Sequence, residues 1–87
     1  MTRKILLAAL VAAAFGATGA QAQTEIQWWH SMGGALGDKL VELANKFNAS
    51  QSEYKVVPSY KGSYPDSLAA AIAAFRAGNA PHILQVF

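Results

Sequence analysis

The sequence predicts an α/β fold in which strands and helices alternate in the order β-α-β-α-β, behind a short leader. Three segments beyond residue 22 are rich in β-branched and aromatic residues, as strands usually are. Two stretches between them carry apolar residues at the spacing of an amphipathic helix. Alternation of this kind favours parallel strands joined by right-handed crossovers, so we expect the beginning of a doubly wound sheet.

Residues 1–22 have the layout of a cleavable signal peptide. A basic pair near the start precedes an unbroken apolar run over residues 5–15, and small residues stand at Ala20 and Ala22. The predicted cleavage lies between Ala22 and Gln23. The alternative is a transmembrane anchor, but a span needs about 20 apolar residues and this run is about half as long.

The composition beyond the leader argues against several classes of partner. Basic and acidic residues are equal in number there, so the positive charge of the whole sequence comes from the leader. No basic patch remains to favour nucleic acid or an acidic membrane surface. The chain has no cysteine, so no disulfide stabilises the fold and no lipidated cysteine can follow the cleavage site. We expect a soluble periplasmic protein without a lipid anchor.

The segment that remains after cleavage is short for a domain without disulfides. Residues 23–87 offer little material for a hydrophobic core, and the apolar run Ile83–Phe87 has no turn or polar tail after it. We therefore expect residues 23–87 to be the N-terminal part of one larger domain, and to be poorly folded alone.

The first strand is predicted over Glu25–Trp29, and a glycine-bearing turn over His30–Gly34 follows it. Asp38 is expected in the first turn of the next helix and Lys46 in its last, where each suits the helix dipole. That helix is predicted from apolar residues at successive spacings of four, three and four, namely Leu36, Leu40, Leu43 and Phe47.

The second strand is predicted over Tyr54–Pro58, and a polar loop over Tyr60–Tyr64 follows. The second helix should begin near Pro65, because proline suits the first helical position, with Ser63 or Tyr64 before it. Its predicted core stripe is Leu68, Ile72 and Phe75, and Gly78 and Pro81 end it.

The third strand is predicted over His82–Phe87, and its apolar composition indicates burial on both faces. Ligands of open parallel sheets bind beyond the carboxyl ends of the strands. In this chain those ends are the loops His30–Gly34 and Ser59–Tyr64 and whatever follows Phe87.

The candidate polar residues do not form a recognisable catalytic or metal centre. His30 and His82 have no cysteine, second histidine or carboxylate at ligand spacing, so no metal site or cofactor is predicted. The simplest interpretation of His30 is a bond to nearby backbone, with ligand contact as the alternative, and His82 is expected to be structural. Ser31 lies beside His30, but no Gly-x-Ser-x-Gly elbow is present.

Aromatic residues at the predicted ligand edge favour a sugar or polyol. Trp28 and Trp29 point to opposite faces of a strand, so one should enter the core and the other can line a cleft. Tyr60 and Tyr64 flank the second loop, where a ring with a hydroxyl group can hold a polyol. On composition alone, packing within the loop is the simpler interpretation of both tyrosines, and ligand contact is the alternative.

Several motifs taken in order resemble the extracellular solute-binding proteins of ABC importers. The motifs are a Trp-His strand end, a Phe-Asn helix end, a tyrosine in the second loop and an Ala-Gly-x-x-Pro sequence before the third strand. In this chain they occupy Trp29–Met32, Phe47–Ala49, Tyr60–Tyr64 and Ala73–Pro81, before Ile83–Val86. The resemblance covers the whole segment after the leader.

The resemblance implies the start of lobe one of a two-lobed type II binding protein that closes about a hinge. It implies a small-molecule ligand, permease partners in the inner membrane, a monomer and no enzymatic activity. The pocket tyrosine of the family matches Tyr64, with Trp29, His30 and Ser31 as weaker candidates, and an acidic pocket residue is expected beyond Phe87.

His82 stands where many sugar-binding relatives carry an acidic residue. The resemblance therefore favours the glycerol-phosphate branch of the family over the maltose-like branch, which stays open with other sugar binders. A secreted α/β hydrolase is an alternative of another class, although the missing nucleophile elbow argues against it. A short independent exported protein is a third alternative.

Overall fold

The computed structural model describes residues 22–87, in which strands and helices alternate as predicted. The predicted signal peptide lies, except for Ala22, outside the described residues. The elements in chain order are β1 (Thr24–His30), α1 (Gly34–Ser50), β2 (Tyr54–Tyr60), α2 (Tyr64–Arg76) and β3 (Ile83–Leu84). The α/β fold class is therefore confirmed.

The three strands form one parallel sheet in the order β2-β1-β3. β1 lies in the middle and pairs with β2 along its whole length, from Thr24 opposite Tyr54 to His30 opposite Tyr60. Its pairing with β3 is short and brings Trp28 opposite Ile83. Because all strands run in the same direction, their carboxyl ends meet at one edge of the sheet.

Helix α1 begins at Gly34 and ends at Ser50, so it is longer than its apolar stripe. Gly34 has φ of +58°, which glycine adopts without strain. The helix has no acidic residue in its first turn and no basic residue in its last, so the predicted dipole roles of Asp38 and Lys46 are wrong. Lys46 instead forms an exposed ion pair with Glu42 at 3.7 Å, which stabilises the helix only slightly.

Asn48 attaches the end of α1 to the outer strand of the sheet. Its side-chain amide donates to the carbonyl of Val56 at 2.9 Å, and its oxygen accepts the Val56 N–H at 2.8 Å. The side chain thus satisfies both backbone groups of Val56, as a further strand would. The Phe-Asn motif at this helix end therefore has a packing role.

Helix α2 starts as the sequence predicts. Ser63 is the N-cap and its hydroxyl accepts the N–H of Asp66 at 3.3 Å, while Pro65 lies in the first turn. Gly78 follows the helix with φ of +79°, and its N–H donates to the carbonyl of Phe75 at 3.1 Å. Among residues 22–87, no helix combines the length and apolarity needed to cross a membrane.

The apolar stripes of both helices are largely exposed, which corrects the prediction that they form a core. The buried apolar residues of the described chain are Ala44 and Ala71. The sheet is too narrow to cover both helices, because β3 contributes only two residues. The stripe residues with exposed fractions between 45% and 75% are Leu36, Leu43, Phe47, Leu68, Ile72 and Phe75.

The prediction of a long, doubly buried third strand is also wrong. The strand covers Ile83–Leu84 only, and Ile83, Val86 and Phe87 are exposed. Its apolar composition suits burial on both faces, but Leu84 is only half-buried, and no further strand pairs with β3 within residues 22–87. The apolar pattern therefore predicts more burial of the third strand than residues 22–87 provide.

We expect residues 23–87 alone to unfold without a cooperative transition. Burying a large aliphatic or aromatic side chain contributes about 1.5–3 kcal/mol, and the large apolar residues of both helices remain exposed. The loss of chain entropy is then not offset. Thermal circular dichroism of this segment should show a broad, gradual loss of signal. A sharp, reversible melting curve would contradict the expectation.

Candidate functional site

The carboxyl edge of the sheet is held together by hydrogen bonds that converge on the end of β1. The Lys61 N–H donates to the His30 carbonyl and the Gln85 N–H to the Trp29 carbonyl, both at 2.9 Å. The Ser31 N–H donates to Oε1 of Gln85 at 2.9 Å. The loop after β1, the loop after β2 and Gln85 after β3 are therefore brought together at the end of β1.

The two tryptophans of β1 lie on opposite faces of the sheet. Trp28 lines an apolar cleft under α1 with Leu43, Phe47 and Val56. Trp29 faces the other side, where its register partner Leu84 lines a cleft under α2. Both tryptophans are half-buried. The predicted alternation is confirmed, but neither ring is fully enclosed.

His30 is buried at the end of β1, with 4% of its surface exposed. Its Nδ1 accepts the N–H of Met32 at 3.2 Å, so its simplest interpretation, a bond to nearby backbone, is confirmed. Burial lowers the pKa of His30, since the charged ring loses hydration. The ring is therefore neutral at pH 7, and its proton lies on Nε2 because Nδ1 is an acceptor.

His30 faces an open cleft of about 480 Å³ at the start of α1. Tyr60, the register partner of His30 on β2, lines the same cleft, with its ring centre 6.0 Å from that of His30. A Cβ on Gly33 would make ordinary contact with the Tyr60 ring at 3.8 Å, so the tyrosine does not require glycine there. This side of the edge combines a neutral imidazole, a phenol and a helix start.

Tyr64 lies on the other side of the sheet, at the first residue of α2. Its ring centre is 5.5 Å from that of Phe87, and both line a cleft of about 490 Å³ with Pro65, Leu68 and Val86. Trp29 points to this side as well, and Nζ of Lys61 lies 4.3 Å from the centre of its ring.

The structure thus divides the predicted site residues between two faces. Tyr64 and Trp29 are on the α2 side, and His30 is on the α1 side with Tyr60. Ser31 lies between them, and its buried Oγ has no hydrogen-bond partner in the described chain. Ser31 and His30 therefore do not form a nucleophile and base pair.

Sequence reasoning missed Gln85 and the contact between Lys61 and Trp29. Gln85 stands in the apolar run of the predicted third strand, and its polarity was the available signal. His82 is confirmed as structural, because its Nδ1 accepts the N–H of Gln27 at 2.9 Å. In residues 22–87 no three histidine, cysteine or acidic residues are placed to bind a metal ion.

Comparison with known proteins now identifies the relatives of the chain. A sn-glycerol-3-phosphate-binding periplasmic protein UgpB from Brucella suis is 54% identical over 99% of this chain and 20% of its own length. Proteins with the same name from Rhizobium meliloti and Yersinia pestis are 59% and 60% identical, over 85% and 78% of this chain.

The chain is homologous to sn-glycerol-3-phosphate-binding periplasmic proteins. This confirms the resemblance to solute-binding proteins that the sequence motifs indicate. The chain spans about one fifth of the length of the curated relatives it matches, between 16% and 20% in these three proteins. No family model matches the chain.

The relatives also provide a host in which the site can be tested. We define the chimera as the Brucella suis protein whose aligned segment is replaced by this chain, with variants numbered as in this sequence. The chimera supplies the remaining four fifths of a relative's length.

We expect His30 in the chimera to titrate below the ordinary histidine value of about 6.5, because its burial favours the neutral ring. The unfolded chain then binds a proton before the folded chain does. The stability due to neutral His30 is therefore present above pH 6.5 and is lost as the pH falls through the folded pKa. The measurement is an NMR titration of the imidazole.

The matched variant is His30→Asn, whose side-chain oxygen can still accept the Met32 N–H but does not titrate in this range. Its free energy of unfolding should fall less steeply between pH 7 and pH 5 than that of the unsubstituted chimera. A His30 midpoint at or above 6.5, or equal slopes for the two proteins, would contradict the expectation.

Proposed function

We propose that the chain is part of the solute-binding component of an ABC importer, which captures sn-glycerol 3-phosphate or glycerophosphodiesters in the periplasm. The observation that carries the proposal is the 53–60% identity to proteins named for binding sn-glycerol 3-phosphate. The parallel sheet with aromatic residues at its carboxyl edge supports it, since ligands of such sheets bind there.

The proposed domain organisation follows from the same resemblance. Residues 1–22 act as a signal peptide cleaved between Ala22 and Gln23. Residues 23–87 begin lobe one of a two-lobed type II binding protein, which works as a soluble monomer without a lipid anchor. Binding closes the lobes, and the closed form delivers its ligand to permease subunits in the inner membrane.

Tyr64 is the proposed ligand contact, through its ring and its hydroxyl. Its place at the sheet edge, half-buried beside an open cleft, supports this role. Trp29, His30 and Ser31 are proposed to shape the site from the end of β1. The neutral His30 ring offers an Nε2 donor, and the Ser31 hydroxyl still lacks a partner.

The phosphate contacts and an acidic pocket residue are proposed to lie outside residues 22–87. Buried Ser31 Oγ has no hydrogen-bond partner among the described residues, so it is not hydrogen-bonded to His30. A secreted hydrolase therefore gains no support from this pair of residues. A maltose-like or multiple-sugar binder remains the competing ligand class.

We expect the chimera to bind sn-glycerol 3-phosphate with a saturable change in tryptophan fluorescence, because Trp29 lies at the end of β1 on the same face of the sheet as Tyr64. Tyr64→Phe should raise the dissociation constant about fivefold to tenfold, as expected for the loss of one hydrogen bond of about 1–1.4 kcal/mol. The matched control is Tyr54→Phe, which lies at the opposite end of β2 and should leave affinity unchanged.

The same titration with maltose separates the two ligand classes. A response to maltose alone would overturn the phosphate ligand and favour a sugar. Absence of any response would remove both ligands. Unchanged affinity in Tyr64→Phe, with normal binding by the unsubstituted chimera, would remove Tyr64 from the site.

A further inference from the structure

Gln85 occupies the point where the third strand stops and the chain leaves the sheet. β3 ends at Leu84, yet the Gln85 N–H still donates to the Trp29 carbonyl at 2.9 Å, as in a parallel ladder. In such a ladder the next bond would run from the Ser31 N–H to the backbone carbonyl of Gln85. Here that N–H donates to Oε1 of the Gln85 side chain instead.

This exchange has a structural consequence. The side chain of Gln85 satisfies the N–H of Ser31, the first residue after β1, so the backbone carbonyl of Gln85 need not face this segment. The chain can therefore turn out of the sheet directly after Gln85. Val86 and Phe87 then lie beside Tyr64, and the two rings are 5.5 Å apart.

Phe87 cannot hold this position by its own packing. It is fully exposed apart from its approach to Tyr64, and Val86 is 63% exposed. Their placement beside Tyr64 depends on the backbone to which they are attached, and Gln85 directly before them bonds to Trp29 and Ser31.

We propose that Gln85 is a positioning residue for the ligand site. Its carboxamide ends the ladder at Ser31 and directs residues 86 and 87 against Tyr64, which fixes the tyrosine for ligand contact. The effect on ligand affinity rests on the proposed function, whereas the effect on Ser31 and Tyr64 does not.

The test compares Gln85→Met with Gln85→Glu in the chimera. Methionine has a similar length but cannot replace the acceptor, whereas glutamate keeps an acceptor oxygen. In Gln85→Met we expect at least tenfold faster hydrogen exchange of the Ser31 amide and loss of the NOE between the rings of Tyr64 and Phe87. Gln85→Glu should keep both signals, which a purely steric role would not explain.

Affinity for sn-glycerol 3-phosphate supplies the functional readout. We expect about tenfold weaker binding by Gln85→Met and near-normal binding by Gln85→Glu. If the unsubstituted chimera does not bind this ligand, the proposed function fails, and the exchange rate and NOE still decide the role of Gln85. Normal Ser31 protection and a normal NOE in Gln85→Met would overturn the proposal.

A second measurement applies if Gln85→Met does not fold. An ionised acceptor forms a stronger, shorter hydrogen bond than a carboxamide does. The Ser31 amide proton of Gln85→Glu should therefore shift downfield above the pKa of the introduced carboxylate. An unchanged Ser31 shift across that titration would overturn the proposal.

Discussion

The central position of β1 in a parallel sheet determines where every candidate site residue lies. Both neighbouring strands run in its direction, so the loop after β2 and the segment after β3 must emerge at its carboxyl end. Hydrogen bonds to the carbonyls of Trp29 and His30 hold these two segments beside the carboxyl end of β1. The site is thus assembled by backbone geometry, and side chains from three separate segments only complete it.

The same sheet leaves its helices incompletely covered. Two small residues, Ala44 and Ala71, are the buried apolar residues of the helices, while most of the larger apolar residues are exposed. Local hydrogen bonds nevertheless define one end of each helix: Asn48 bonds the end of α1 to the sheet, and Ser63 caps the start of α2. Local structure is therefore well specified, but the hydrophobic contribution to stability is small.

This contrast between well-specified local structure and incomplete burial explains which features could be predicted from the sequence. Helix and strand types follow from local periodicity and capping, so the start of α2 at Ser63 and Pro65 was predictable. Burial depends on which other segments are present, so the apolar run at residues 83–87 led to a wrong prediction of a covered strand. The dipole roles predicted for Asp38 and Lys46 were wrong because α1 extends beyond its apolar stripe at both ends. Neither residue therefore lies in a terminal turn of the helix.

The candidate site was partly predictable for the same reasons. The ligand edge follows from strand direction, and the alternation of Trp28 and Trp29 follows from the period of a strand. The separation of Tyr64 and His30 onto opposite faces requires the three-dimensional arrangement of α1 and α2. The bond from Ser31 to Gln85 joins residues far apart in sequence, and no local pattern indicates it.

Amide hydrogen exchange in the chimera tests most directly whether β1 organises the site. The decisive amides are those of Lys61 and Gln85, which lie outside β2 and β3 but donate to β1. The account predicts that both exchange as slowly as the amides of the β1–β2 ladder, without ligand. If either amide exchanged at the rate of an unstructured loop, the account would be contradicted, because its hydrogen bond to β1 would not hold that segment in place.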